Sequence, residues 1–150
     1  MTASVVTHRV LYVDTDQMKV VNHATYLRWF ESARNEMLRA IGFPYASLEE
    51  QGYMLPVVEL ACRYLLPARY DDVIKVESRL VELKRATVAI EYRIRLAERA
   101  STPGMNHPVA IGALLVAGQT VHACVDRGGR VRRLPDDVRA RLADQLMADS

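Results

Sequence analysis

The stretch NHATYLRWFESARNEMLRAIGFP, Asn22 to Pro44, decides what kind of fold this chain can take. From His23 onward, Tyr26, Leu27, Phe30, Ala33, Met37, Leu38 and Ile41 recur at the three- and four-residue spacing of one helical face. Arg28, Glu31, Ser32, Asn35, Glu36 and Arg39 occupy much of the other face. Asn22 can serve as N-cap, its side chain accepting from an otherwise unpaired N–H one turn on. Gly42 stands where a C′ glycine closes a helix, and Pro44 follows it. The spacing therefore predicts one helix of roughly nineteen residues, about 28 Å long at ~1.5 Å per residue.

On either side of this helix the pattern changes. Val5 to Val13 alternate loosely and read as a strand, and a short helical patch is expected near Tyr45 to Gln51. Then the period becomes two. Val57, Glu59, Ala61 and Arg63 share one strand face, and Val58, Leu60, Cys62 and Tyr64 share the other. Ile74, Val76 and Leu80 alternate with Lys75, Glu77 and Arg79; Val88, Ile90, Tyr92, Ile94 and Leu96 alternate with Ala89, Glu91, Arg93 and Arg95. Ala100 to Pro108 is the expected hairpin connection, and Val109 to Val125 a long last strand ended by Asp126-Arg-Gly-Gly. Pro135 to Met147 reads as a short helix with Val138, Leu142 and Leu146 on its apolar side.

Such alternation marks an antiparallel sheet with one buried and one wet face. Strand, long helix, then four consecutive strands make an α+β architecture, a meander with one helix lying on it. Residues 1–150 are one domain's worth of chain. One helix cannot cover such a sheet, so the remaining apolar edge implies that two sheets meet in a dimer.

Composition narrows the function. Half of the residues are apolar and a quarter charged, which is globular composition. A net charge of +2, with bases interleaved among acids, does not fit a nucleic-acid binder. The exception, Arg127 to Arg133, reads as a tight turn with exposed flanks. Cys62 and Cys124 lack a CxxC partner and are expected as buried free thiols in a reducing, cytoplasmic setting. No apolar signal segment is visible in MTASVVTHRV, and the apolar run Val109 to Gly118 is about half of the ~20 residues a membrane span needs. HExxH, paired CxxC, GxSxG, P-loop and GxGxxG patterns are all missing, so neither a metal nor a cofactor is expected.

DTDQMKVVNHATYLRWFESAR resembles the signature of the 4-hydroxybenzoyl-CoA thioesterase-like hotdog family, roughly Asp-x-Asp-x-x-Gly-Val-Val-x-His-x-x-Tyr. The acyl-CoA thioesterases associated with the Tol–Pal system belong to that group. LPVVELACRYLLPARYDD resembles the family's second strand and proline turn, and GQTVHACVDRGGRVRRLPDDVRARL its closing segment. The resemblance implies a hotdog fold, an antiparallel sheet wrapped around the long helix, paired into a homodimer or homotetramer. It also implies an acyl-CoA substrate, hydrolysed to free acid and CoA at the dimer interface. The family's catalytic acid falls on Asp16 and its histidine position on His23, beside the oxyanion site. Lys19 stands where the family usually has Gly: either it takes a backbone that Gly would take freely, at about 1 kcal/mol, or the loop has shifted.

The chemistry suits that place. A helix N-terminus offers unpaired N–H groups and a positive dipole end to an oxygen becoming negative. A carboxylate such as Asp16 can polarise a water as general base or attack the thioester carbonyl as nucleophile; read from spacing alone, it is a turn Asp bonding its own backbone. Asp14 reads as structural. His23 contributes either its ring or only its backbone N–H, against the alternative of a solvated first-turn residue. Three further residues are candidates for substrate binding. Glu59 is a second acid at the dimer seam or a salt-bridge partner; Lys84 and Arg85 meet CoA phosphates or are solvated turn charges. A non-catalytic hotdog protein that binds acyl-CoA or supports an assembly is the alternative. A hotdog dehydratase fits less well, because its His-Phe-Pro-Gly-type pattern is absent.

Overall fold

The expected helix forms as α1, Thr25–Ala40, in the computed structural model, which describes residues 4–100 and 109–150. It starts two residues later than the spacing suggests. Asn22 caps a turn ahead of it, its Oδ1 accepting from the Ala24 N–H at 2.9 Å while its carbonyl accepts from Thr25. At the other end Gly42, at φ +92°, lets the Phe43 N–H reach the Leu38 carbonyl and its own N–H reach that of Arg39. That is a Schellman closure, and it satisfies two carbonyls the helix leaves open.

Around α1 the order is β1 (Ser4–Arg9), α1, α2 (Tyr45–Glu50), β2 (Val57–Tyr64), β3 (Val73–Leu83), β4 (Thr87–Glu98), β5 (Leu114–Ala123) and α3 (Asp136–Asp149). β1 is shorter than the expected Val5–Val13 run. Asp14 turns back on it, its carboxylate accepting from the Leu11 N–H at 2.9 Å, and winds Tyr12–Asp14 into a single 3₁₀ turn. β5 is likewise shortened, because the chain turns at Gly112 (φ +86°) and pairs only from Leu114. The expected connection Ala100–Pro108 lies, apart from Ala100, outside the described residues.

The sheet is antiparallel throughout, in the order β1-β3-β4-β5-β2. The meander expected of the last four strands holds only for β3, β4 and β5. β2 pairs with β5 at the far edge, with Cys62 opposite Gly118, and the chain then crosses beneath the start of α1 to begin β3. The crossing is pinned by the Val21 N–H on the Ala68 carbonyl (2.9 Å) and the Ala68 N–H on the Tyr26 hydroxyl (3.2 Å).

The inner face of β3 and β4 buries Ile74, Val76, Leu80, Ile90, Tyr92, Ile94 and Leu96 against α1. On the wet face Arg95 pairs with Glu77 (2.8 Å), and Arg79 and Arg93 both with Glu91. Phe30 joins the two layers, stacked on Tyr92 with ring centroids 4.4 Å apart and lying directly over Gly118. β2 departs from the one-face-buried expectation. Val57, Val58, Leu60 and Tyr64 are about half exposed, so in one chain both faces of this edge strand are open. Val138 and Leu142 of α3 are buried, and Asp149 near its end accepts from the Leu80 N–H at 2.7 Å.

Candidate active site

Thr15 to Val21 form a tight hairpin in front of α1. The Lys19 N–H donates to the Asp16 carbonyl (2.9 Å), the Asp16 N–H to the Val20 carbonyl (3.0 Å), and Thr15 bridges Val21. A three-residue loop of this kind needs a left-handed residue at its third position. Lys19 fills it at φ +64°, so of the two expected outcomes the lysine takes the strained backbone and the loop keeps its course.

This hairpin sets Asp16 and His23 on one cavity of about 320 Å³, walled by Tyr26, Tyr64, Leu65 and Leu66. Asp16 is half-buried; its Oδ1 accepts from the Met18 N–H at 2.8 Å. Asp16 thus serves the turn and also borders the cavity. The His23 carbonyl accepts from the Tyr64 hydroxyl at 2.9 Å, while among the described residues nothing accepts from the His23 backbone N–H. The ring is exposed. At this helix end there is therefore a carboxylate, a free amide donor and an apolar wall, the parts needed to activate a water and hold a negative oxygen. Asp14 is built into the structure instead: it is buried, accepts from Leu11 and pairs with Arg28 at 3.1 Å.

The other candidates stand elsewhere. Glu59 is exposed on β2 opposite Val121, outside the cavity, and makes no ion pair within 4.0 Å among the described residues. Lys84 and Arg85 are exposed in the β3–β4 turn, with Lys84 3.5 Å from Glu82. The hairpin lies near the opposite end of β3, whose 11 residues span roughly 35 Å. Within one chain none of the three meets Asp16.

Further along the same side of α1 is a second cavity, about 480 Å³, that sequence reasoning did not anticipate. Its base is a buried polar network. The Tyr92 hydroxyl lies 2.9 Å from Thr120 Oγ1, Thr120 Oγ1 is 2.8 Å from His122 Nε2, and His122 Nδ1 is 2.9 Å from the Leu55 carbonyl. A carbonyl can only accept, so Nδ1 carries the proton and Nε2 accepts from Thr120. Arg34, 7% exposed, lies beside the imidazole and over the Tyr45 ring at 4.8 Å. The signal was present in the sequence: Arg34 is four residues past Phe30, and His122 is two past Thr120 on one strand face.

Burial pushes His122 down from 6.5 to about 4; the Leu55 carbonyl opposes that shift and the Arg34 charge adds to it. The ring is neutral in the fold, whereas in the unfolded chain it takes up a proton near 6.5. Its contribution is complete above 6.5 and is lost as pH falls toward 4, because the unfolded state binds the proton first. At ~1.4 kcal/mol per pKa unit this is roughly 3 kcal/mol. Urea midpoints should fall over that window, and His122→Gln should flatten the fall; an unchanged slope would remove His122 as its source.

Residues 10–142 match the model of the thioesterase-like superfamily. The acyl-CoA thioesterase YbgC of Haemophilus influenzae is 45% identical over 87 residues, 57% of this chain and 64% of that protein. Among solved structures, the hypothetical protein TT1821 of Thermus thermophilus superposes with a TM-score of 0.81 at 36% identity, covering 95% of this chain and 98% of that one. The DHNA-CoA thioesterase of Staphylococcus aureus gives 0.84 at 26% identity, covering 99% and 93%. A family match over most of the chain, on a sheet wrapped around one long helix, is decisive: the chain belongs to the thioesterase-like superfamily and has its hotdog fold.

Proposed function

We propose that this chain hydrolyses acyl-CoA thioesters to free acid and CoA, with Asp16 as general base or nucleophile and the start of α1 as oxyanion site. The observation that carries the reading is the convergence of Asp16 and His23 on one cavity at that helix end. As general base, Asp16 takes a proton from a water whose oxygen bonds to the thioester carbon. The carbonyl oxygen then carries the charge and the His23 N–H donates to it; collapse breaks the C–S bond and releases CoA thiolate. The likeness to proteins named acyl-CoA thioesterases supports this reaction class. Purified protein mixed with a panel of acyl-CoAs and a thiol-detecting reagent tests it. Release of free thiol at least about 10³-fold above the rate without protein is expected; no release from any acyl-CoA that binds would leave the binding-protein alternative. That alternative draws on Lys19, which stands at φ +64° where the family motif has Gly, as the sign of a lapsed site.

The working unit in this reading is a homodimer, joined along β2, or a pair of such dimers. An open edge strand with half-exposed Val57, Val58, Leu60 and Tyr64 is a template for another strand unless it is covered. A second copy covers it by two-fold pairing. Sedimentation should give at least twice the 16.9 kDa chain mass at micromolar concentration, and Val58→Lys should shift it toward one chain with loss of thiol release. A wild-type monomer that is fully active would refute the arrangement. The two free thiols, and the absence of any helix among the described residues long and apolar enough to cross a membrane, are compatible with a cytoplasmic protein.

A further inference from the structure

We infer that the larger cavity between α1 and β2 receives an acyl group bearing a carboxylate at its far end, with Arg34 as the residue that selects it. This rests on the thioesterase reading and extends it to substrate class. The starting point is a charge imbalance. Arg34 is 7% exposed, always protonated, and has no carboxylate within 4.0 Å among the described residues. Its Nε and Nη2 are occupied, both donating to the Asn35 Oδ1 at 3.3 and 3.0 Å. Nη1 is not well served. It is 3.4 Å from the Leu55 carbonyl, past the usual N–H···O range, and 3.3 Å from His122 Nδ1, which already carries a proton and cannot accept.

The surroundings do not supply the missing charge. His122 is neutral, Thr120 and Tyr92 are hydroxyls, and the Tyr45 ring offers only its π face. Glu31 also borders the cavity, but from its solvent-exposed side and without an ion pair to Arg34. Leu27, Phe30, Leu55, Val57 and Leu60 make up the walls. A mainly apolar cavity with one buried, underused guanidinium matches a hydrocarbon chain ending in a carboxylate, which can accept charge-assisted hydrogen bonds from Nη1. A plain alkyl end would leave that charge buried and uncompensated. Position fits as well: Arg34 lies nine residues past Thr25, the first residue of α1, about 14 Å along the axis at ~1.5 Å per residue, and His23 stands just ahead of that end. A thioester at His23 and a carboxylate at Arg34 are the two ends of one extended acyl group.

Two measurements test this. In the first, kcat/KM is compared for succinyl-, adipyl-, suberyl- and sebacyl-CoA, each against the fatty acyl-CoA of equal carbon number. In the second, calorimetry compares S-(ω-carboxyalkyl)-CoA thioethers, which cannot be hydrolysed, with S-alkyl-CoA thioethers. At least one carboxylated compound should be preferred by about tenfold or more in each series. Arg34→Met should abolish or invert the preference, and Arg34→Lys should keep part of it. If wild-type protein treats every fatty acyl compound as well as its carboxylated counterpart, the inference is overturned, whether or not Arg34→Met folds. If no thioester is cleaved, the proposed activity fails, while the thioether affinities still decide the cavity.

Discussion

Asp16→Asn should lower kcat by roughly 10²- to 10⁴-fold, the span a positioned general base contributes. The structure makes this substitution informative. The amide oxygen of Asn can still accept from the Met18 N–H, now at 2.8 Å from Asp16 Oδ1, so the hairpin that presents the residue survives. What disappears is the negative charge at the border of the cavity. Affinity depends on the walls and on the cavity along α1, so KM should change much less than kcat. Asp16→Ala removes both the charge and the turn bond and guards against deamidation of Asn back to Asp. Asp14→Asn should spare the chemistry, but this buried residue supports Leu11 and Arg28, so its loss should appear as lower stability. His23→Ala separates ring from backbone: a loss between those of Asp14 and Asp16 indicates that the ring acts, and near-wild-type kcat leaves the role to the N–H. Wild-type kcat in both Asp16 variants would end the assignment.

Phe30→Ala should cost about 3–5 kcal/mol of stability, as large-to-small changes at fully buried aromatic positions do. Phe30 is 2% exposed, stacks on Tyr92 and spans the distance between α1 and the sheet. At ~2–4 °C per kcal/mol for a chain of this size, the melting temperature should drop by on the order of 10 °C. The reverse change tests the same packing. A Cβ at Gly118 would come within 2.6 Å of Phe30 Cε2 and Cζ and 3.1 Å of the Ala61 carbonyl. Gly118→Ala should therefore destabilise by about 1–3 kcal/mol. Combining it with Phe30→Leu should recover part of that cost, a coupling on the order of 0.5–3 kcal/mol for residues in contact. Additive losses in the double variant would show that the two positions do not share one space. All of these proteins need comparison at one concentration, because an oligomer's stability depends on it.

What was legible in the sequence is what depends on near neighbours along the chain. Three- and four-residue spacing marked α1, two-residue alternation marked β3 and β4, and Gly42 with Pro44 marked the helix stop, because each is set by backbone geometry within one turn or one pleat. Asp16 and His23 are seven residues apart, so a single hairpin suffices to bring them together, and the motif could point to both. Local pattern went astray where a distant or side-chain bond intervened: the Asp14 carboxylate stopped β1 four residues before Val13. Strand order was beyond it altogether. Alternation says which face of a strand is apolar but not which strand lies beside it, and β2 reached β5 only by crossing under α1. Lys84 and Arg85 could be named because charge in a turn is visible in sequence, while the length of β3 that separates them from Asp16 within one chain counts only in space. Arg34 and His122 are 88 positions apart, and neither is unusual alone. Only when α1 lies on β5 and the Leu55 carbonyl closes over them does the arginine become a buried charge without a counter-ion among the described residues, since burial and pairing are properties of the assembled layers and not of any segment.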